Sequence, residues 1–410
     1  MTNSSEKPYQ VVCVCGAHGY PLGTATAARI TMVGRALRDS GISFRLLHCG
    51  PSPVGINTRR KGIFEGIPFE YMTSVRRPRS RLLRMLMYMR ALVGLTPRLI
   101  AMWPRKRSTA VYLYVMDSPL ALYVGILCWV LRIPVVQEMC EWFPGDPACS
   151  PFVRWLHRSV LFRFATGVLA ISDAIEERVG RKSVEIGRAL LVQKLPALVD
   201  ATRFPANLPR SQVALDVPEF VYCGTWGKDL VYLVTAYAIA KRSGYPCRLR
   251  IIGARAAEQL GPLLRAQAVA NGLSEHDVIL SGCVDQQTLE DAYRSAAALL
   301  MPLWNDDRSI TRLPNKMSEY LASGRPVISC PVGDVTGFLA DGVSAYLAAP
   351  ENPASFAGKM ISVLENPEEA DRIGAAGREV CLAVLDYRQH SQGLGQFFRT
   401  CIQSGGPLQA

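Results

Sequence analysis

Histidine is scarce in this chain: there are five, and they do not cluster with cysteine. The 12 cysteines are scattered, none forms a C-x-x-C pair, and most sit in apolar runs such as Val11-Val-Cys13-Val-Cys15. Alternation with valine is a strand pattern and not a metal pair, so the thiols read as reduced, in a cytosolic compartment. Met1-Thr-Asn-Ser-Ser-Glu-Lys7 lacks an apolar signal core. The longest apolar run, Pro119 to Leu131, is too short to span a bilayer and follows Asp117. Asp-x-Asp is absent, and Asn305-Asp306-Asp307 reads as loop polarity, so no metal ligand is assigned. There is no short-period repeat.

What is present begins with size and charge. At 410 residues the chain exceeds one ordinary core, so two domains are expected. A hydrophobic content of 49% argues for a packed globular protein and not a disordered one. A net charge of +12 calls for an anionic partner: nucleic acid, nucleotide or acidic lipid. No recognised nucleic-acid module accompanies that charge.

The pattern along the chain is βα repetition, which implies parallel sheets covered by helices. Gln10–Cys15 reads as a strand. It is followed by a loop holding His18, Gly19 and Gly23, and then by a helix from about Ala25 to Ser40. Ile42–His48, Val111–Val115, Pro134–Gln137 and Val168–Ile171 read as further strands. A second series starts after Pro205-Ala-Asn-Leu-Pro209, with a strand at Phe220–Tyr222 entering Gly224-Thr225-Trp-Gly227-Lys228. Strands at Arg248–Ile252, Val278–Ser281, Ala298–Pro302 and Val327–Cys330 follow. The expected domains are 1–200 with a terminal segment 387–410 packing back on it, and 208–386.

The most informative segment is Leu313-Pro-Asn-Lys-Met-Ser-Glu319-Tyr-Leu-Ala-Ser-Gly324. Pro314 suits a first helical turn, and Gly324 followed by Pro326 stops the helix. Lys316 and Glu319 are three apart and share one helix face. A helix N-terminus with a lysine in its first turn holds phosphate, and a carboxylate one turn later accepts hydrogen bonds from two sugar hydroxyls. This is a seat for a nucleoside diphosphate. Lys228, after a glycine loop, is a second cation within reach of a diphosphate.

The ordered set of segments resembles the retaining glycosyltransferases of the GT-B fold, family 4. It runs through Phe220-Val-Tyr-Cys-Gly-Thr-Trp-Gly-Lys228, Arg248-Leu-Arg-Ile-Ile-Gly253 and Val278-Ile-Leu-Ser-Gly282 to Asn315-Lys-Met-Ser-Glu-Tyr-Leu-Ala-Ser-Gly-Arg-Pro-Val-Ile328. The resemblance implies an α/β architecture of two Rossmann-like, doubly wound domains facing a central cleft. The first would bind an acceptor and the second a nucleotide sugar. It implies donor-binding roles for Gly224, Thr225, Lys228, Arg312, Leu313, Pro314, Lys316 and Glu319. It also implies transfer with retained configuration and no metal or other cofactor. One departure stands out: the family's first carboxylate, eight positions before Glu319, falls on Thr311.

Glu138 and Glu141, in Gln137-Glu-Met-Cys-Glu-Trp-Phe-Pro144, follow an apolar strand whose carboxyl end is where ligands bind, so either can orient or deprotonate an acceptor hydroxyl. His18 is a further candidate contact with donor or acceptor. From Arg76 to Arg107 there is no acidic residue, and Arg76, Arg77, Arg79, Arg81, Arg84 and Arg90 interleave with leucine, methionine and tyrosine. That combination favours an anionic membrane face; the alternative is a core helix with a solvated basic side. The resulting expectation is a cytoplasmic, peripheral membrane enzyme that moves a sugar to a lipid-linked or polysaccharide acceptor in cell-surface glycan synthesis. The alternatives are a GT-B scaffold that has lost its chemistry and a sugar-nucleotide epimerase of the same fold.

Overall fold

A computed structural model describes residues 8–16, 18–52, 55–114, 118–142, 150–204, 216–224, 227–253, 258–274 and 276–405. The chain divides into two compact units, Met1–Leu198 with Tyr387–Ala410, and Val199–Asp386.

The first unit is built on β1 (Gln10–Cys15), β2 (Ser43–His48), β3 (Lys61–Phe64), β4 (Ile67–Tyr71), β5 (Thr109–Tyr114), β6 (Val135–Met139), β7 (Gly167–Ala170) and β8 (Leu191–Lys194). They form one sheet ordered β3-β4-β2-β1-β5-β6-β7-β8, parallel except for the β3–β4 hairpin. β1 and β5 are buried along almost their whole length, as central parallel strands must be. Helices α1 (Ala25–Asp39), α2 (Arg81–Ile100), α3 (Ser118–Leu131), α4 (Pro151–Ser159) and α5 (Asp173–Glu185) connect them. The basic stretch becomes helical only at Arg81, where the Ser80 hydroxyl accepts from the Leu83 N–H; Arg76, Arg77 and Arg79 precede the helix.

The second unit contains β9 (Glu219–Cys223), β10 (Arg248–Ile252), β11 (Val278–Gly282), β12 (Ala298–Met301), β13 (Val327–Ser329) and β14 (Tyr346–Leu347), ordered β11-β10-β9-β12-β13-β14. Every pairing is parallel. Its helices are α6 (Gly227–Lys241), α7 (Gly261–Ala270), α8 (Gln286–Ser295), α9 (Asp307–Thr311), α10 (Asn315–Ala322), α11 (Val335–Phe338), α12 (Pro353–Glu365) and α13 (Pro367–Val384). The last helix, α14 (Tyr387–Gln403), returns to the first unit and packs along α1. α14 and α1 cover one face of the first sheet, through Leu394, Phe398 and Ile402 among others; α2, α3 and α4 cover the opposite face.

Strand order locates the second unit's site. β9 is central, with β10 on one side and β12 on the other, so successive connections leave it in opposite directions. Such a reversal opens a crevice at the strands' carboxyl ends. The residues that follow β9 and β12 therefore meet there, together with α10.

α10 is fixed from behind. It ends at Gly324, whose φ of +73° suits glycine. α13 crosses that end so closely that a Cβ at Gly374 would lie 2.5 Å from the Gly324 carbonyl oxygen. The Arg378 guanidinium donates to the Ala322 and Phe204 carbonyls. Gly374→Ala must push α13 off α10, and overpacking of this kind costs about 1–3 kcal/mol. A lowered thermal midpoint is expected; a midpoint equal to wild type would show that α10 does not depend on this contact.

Candidate donor-binding site

The site is assembled around one carboxylate. Asp229, in the first turn of α6 and nearly buried, has both oxygens engaged by aromatic donors: the Tyr222 hydroxyl donates to Oδ2 at 2.9 Å, and the Trp304 indole N–H to Oδ1 at 2.8 Å. Tyr222 comes from β9 and Trp304 from the segment after β12, so Asp229 fixes two rings from the two sides of the crevice. Each ring carries a lysine. The Lys316 ammonium lies 3.9 Å from the Tyr222 ring centroid, and that of Lys228 3.5 Å from the Trp304 centroid. Tyr222 also explains Gly224, because a Cβ there would come within 2.7 Å of the Tyr222 hydroxyl oxygen.

The two cations are held differently. The side chain of Lys228 is 51% exposed, with a loose 3.9 Å pairing to Asp306. A cation–π contact of about 0.5–2 kcal/mol and an exposed ion pair are weak restraints, so a diphosphate can recruit this ammonium at small cost. An open hollow of about 550 Å³ lies beside it, lined by Gly227, Val231, Leu263, Trp304 and Glu351 among others. Lys316 is half-buried. Burial pushes its pKa down to about 8, partly opposed by the charge of Asp229.

Lys316 stands in the first turn of α10. That helix begins after Pro314, which provides no side-chain cap, so the N–H groups ahead of Met317, whose own N–H donates to the Pro314 carbonyl, are left for a ligand. The Asn315 Oδ1 is buried there without a partner. Glu319, one turn later, faces another set of groups. Burial raises its pKa; Arg203 and the Tyr293 hydroxyl act to lower it, and Glu290 to raise it. Arg203 is bound to Glu290 Oε1 through Nη2 at 2.7 Å and Nε at 3.1 Å. The Tyr293 hydroxyl, fully buried, has no hydrogen-bond partner of good geometry.

The other expected residues take varied positions. Arg312 closes α9 and is half-buried. Leu313 is buried at 2% exposure, so only its backbone can face a donor. Thr225 lies outside the described residues. Thr311 is also buried, and its hydroxyl donates to the Asp307 carbonyl at 2.8 Å, turned back on its own helix. Asp306 caps α9 by accepting from the Ser309 N–H. Among the described residues no three His, Cys, Asp or Glu side chains gather as a metal site.

In the first unit, Gly23 has a φ of +84° and leads into Thr24, which caps α1. Gly19 packs so tightly that a Cβ would collide with Ser52 and Asn57. His18 is half-buried, with its pKa lowered by burial, and its carbonyl accepts from the His48 ring. Glu141 is half-buried just beyond β6.

Glu138 requires a correction. Its side chain is buried in an ion pair with Arg29 at 3.0 Å, the Tyr112 hydroxyl donates to its second oxygen, and Arg29 also binds the Leu195 and Pro196 carbonyls. The Cys140 thiol also donates to it, and the side chain is only 1% exposed, so an acceptor hydroxyl has no access to this carboxylate and Glu138 is placed as a structural anchor. Glu138→Ala leaves Arg29 buried and unpaired, a loss of about 3–5 kcal/mol. Denaturant unfolding should show it, and a variant as stable as wild type would return Glu138 to the list of possible bases.

Sequence reasoning did not find Tyr222, Asp229, Trp304, Arg203, Glu290 or Tyr293. Tyr222 and Trp304 did carry a usable signal, as aromatics at strand carboxyl ends. Arg203 and Glu290 did not, being 87 positions apart.

Two doubly wound units with parallel sheets are the architecture of the GT-B glycosyltransferases. The family models agree: Glycosyl transferase 4-like domain matches residues 24–193 and Glycosyl transferases group 1 matches residues 217–366. The chain belongs to this glycosyltransferase family. Among curated relatives, the D-inositol 3-phosphate glycosyltransferase of Streptomyces griseus is 30% identical over 93 residues, 23% of this chain and 19% of that protein. The Frankia alni enzyme of the same name is 34% identical over 95 residues, 23% and 22% of the two chains. The alignments thus span only about a fifth of those relatives. Anabaena HepE, solved with UDP and glucose, superposes with a TM-score of 0.69 at 13% identity over 96% of this chain and 100% of its own. Sucrose-phosphate synthase from Thermosynechococcus elongatus gives 0.71 at 17% identity over 95% and 98%. At those identities the likeness is one of fold.

Diphosphate binding should depend on the charge of Lys316. Above about pH 8 the free site has lost this proton, and an anionic ligand must restore it, so affinity should fall with rising pH by up to about tenfold per unit. Because Asp229 supports the charged form, Asp229→Asn should move the break to lower pH. Titration calorimetry with UDP across this range measures both, and a flat profile in wild type would rule out Lys316 as the contact. The same depressed pKa makes stability rise with pH between about 8 and 10.5, as the cost of burying the ammonium disappears.

Proposed function

We propose that the chain transfers a sugar from a nucleotide donor to a lipid-linked or polysaccharide acceptor in cell-surface glycan assembly, with retained configuration and without a metal ion. One observation carries this reading: the two lysines seated by Asp229, beside the uncapped start of α10 and with Glu319 one turn on. As the bond to the sugar breaks, the departing diphosphate gains negative charge. Lys228, Lys316 and the α10 N–H groups are placed to meet it, which is the task a divalent cation performs elsewhere. Glu319 accepts hydrogen bonds from the donor's ribose. The acceptor is held by the first unit, where Glu141 and His18 orient its hydroxyl, and the enzyme works at the cytoplasmic side of a membrane. HepE's bound UDP and glucose make UDP-glucose the first donor to try.

A second reading, a scaffold without turnover, has one observation in its favour: Thr311 stands where the family has a carboxylate and turns its hydroxyl away. Incubating the purified chain with a panel of nucleotide sugars and membranes separates the two. The expected result is coupled release of nucleoside diphosphate and a glycosylated product, unchanged by a chelator, with the donor's anomeric configuration seen by NMR. Lys316→Ala and Glu319→Ala should each lower kcat/KM by about 10–1000-fold with folding intact, the range for losing one such donor or anchor. Wild-type values in both variants would remove the assignment, and absence of turnover in the wild type with UDP bound would favour the scaffold.

A further inference from the structure

The donor site makes no use of the outer faces of α2, α3 and α4. The three helices lie side by side on one face of the first sheet, α2 against α3 and α3 against α4, with Leu95, Leu99, Val124 and Leu156 turned inward. Their outward faces are apolar as well. The first half of α2, Arg81–Arg90, contains no buried residue, yet Leu82, Met85 and Met89 are each more than half exposed. α3 carries no charge along its length and exposes Trp129 and Val130. α4 exposes Phe152 and Trp155, whose ring centroids are 5.9 Å apart.

The charges around this surface have one sign. α2, α3 and α4 contain no acidic residue, while α2 and α4 carry arginines. Between Glu70 and Glu138 the sequence has one acid, Asp117. Exposed apolar area of this extent marks an interaction surface. A second copy of this chain would set arginine against arginine across a two-fold axis. A bilayer rich in anionic lipid resolves both features, because apolar and aromatic side chains enter the headgroup region while guanidiniums stay at the phosphates. None of the described helices is long and apolar enough to cross a membrane, so the surface would lie on the bilayer.

We propose that α2, α3 and α4 form a docking platform for an anionic lipid bilayer, with Trp129, Phe152 and Trp155 as its aromatic anchors beside the leucine and methionine side chains of α2. Its purpose rests on the lipid-linked acceptor proposed above; its existence is argued from the surface alone. The basic stretch read from the sequence is thus one edge of a platform whose remaining helices begin only at Ser118 and Pro151.

The test sediments the full chain with phosphatidylcholine vesicles and with vesicles in which phosphatidylglycerol replaces part of that lipid. Binding to the second kind, weakened by salt, is expected. Phe152→Ser with Trp155→Ser, and separately Arg79→Gln with Arg81→Gln and Arg90→Gln, should each lower the partition coefficient by about tenfold or more. UDP affinity, measured on the same preparations, should not change, so loss of the platform is distinguished from loss of the donor site. The proposal is overturned if the wild-type chain stays in the supernatant with both vesicles, or if the aromatic substitutions leave sedimentation unchanged. It is also overturned if the chain forms a dimer that those substitutions dissolve.

Discussion

The second unit's candidate site is organised by the double hydrogen bond that Asp229 accepts. A nearly buried carboxylate is costly to leave unpaired, and here each oxygen is met by an aromatic donor. Tyr222 and Trp304 are held as a result, and their faces seat two ammonium groups, that of Lys228 only loosely. The anion therefore organises the cations through the faces of two rings and not by direct pairing. Direct ion pairs would neutralise the lysines and compete with an incoming phosphate. Ring faces attract a cation while leaving its hydrogen-bond donors free.

The carboxylates in the two units illustrate opposite uses of burial. Glu138 has both oxygens held, by Arg29 and Tyr112, and is sealed from solvent. Glu319 is desolvated but engaged only in part, beside an arginine already bound to Glu290 and the Tyr293 hydroxyl, which acts to lower its pKa. What distinguishes a structural carboxylate from one ready for a ligand is the number of its lone pairs already committed, and not burial as such.

Much of this was legible in the sequence, for local reasons. Pro314 and Gly324 bracket α10, and the spacing of Lys316 and Glu319 sets their common face without knowledge of the rest of the chain. The βα alternation gave parallel sheets because crossover connections allow little else. The β3–β4 hairpin escaped notice because Gly62 and Pro68 weaken the strand pattern, although Glu65 and Gly66, both at positive φ, form a tight turn between them. β14, two residues long, is too short to show a period, and β8, at the sheet edge with no fully buried residue, lacks the apolar run of the other short strands. The cluster around Asp229 stayed hidden because Trp304 is 75 positions away and arrives only through the order of strands. Glu138 misled for the same reason: its partner Arg29 lies 109 positions earlier.

The return of α14 to the first unit bears on how the polypeptide matures. Leu394, Phe398, Cys401 and Ile402 complete a core begun by Val11 and Cys13. During synthesis that core must wait, one face uncovered, until the helix Tyr387–Gln403 has been made. The second unit, continuous in sequence, can close on itself earlier. A nascent chain stalled before Tyr387 would thus hold a finished carboxyl-proximal unit tethered to an unfinished amino-terminal one, an order opposite to the direction of translation.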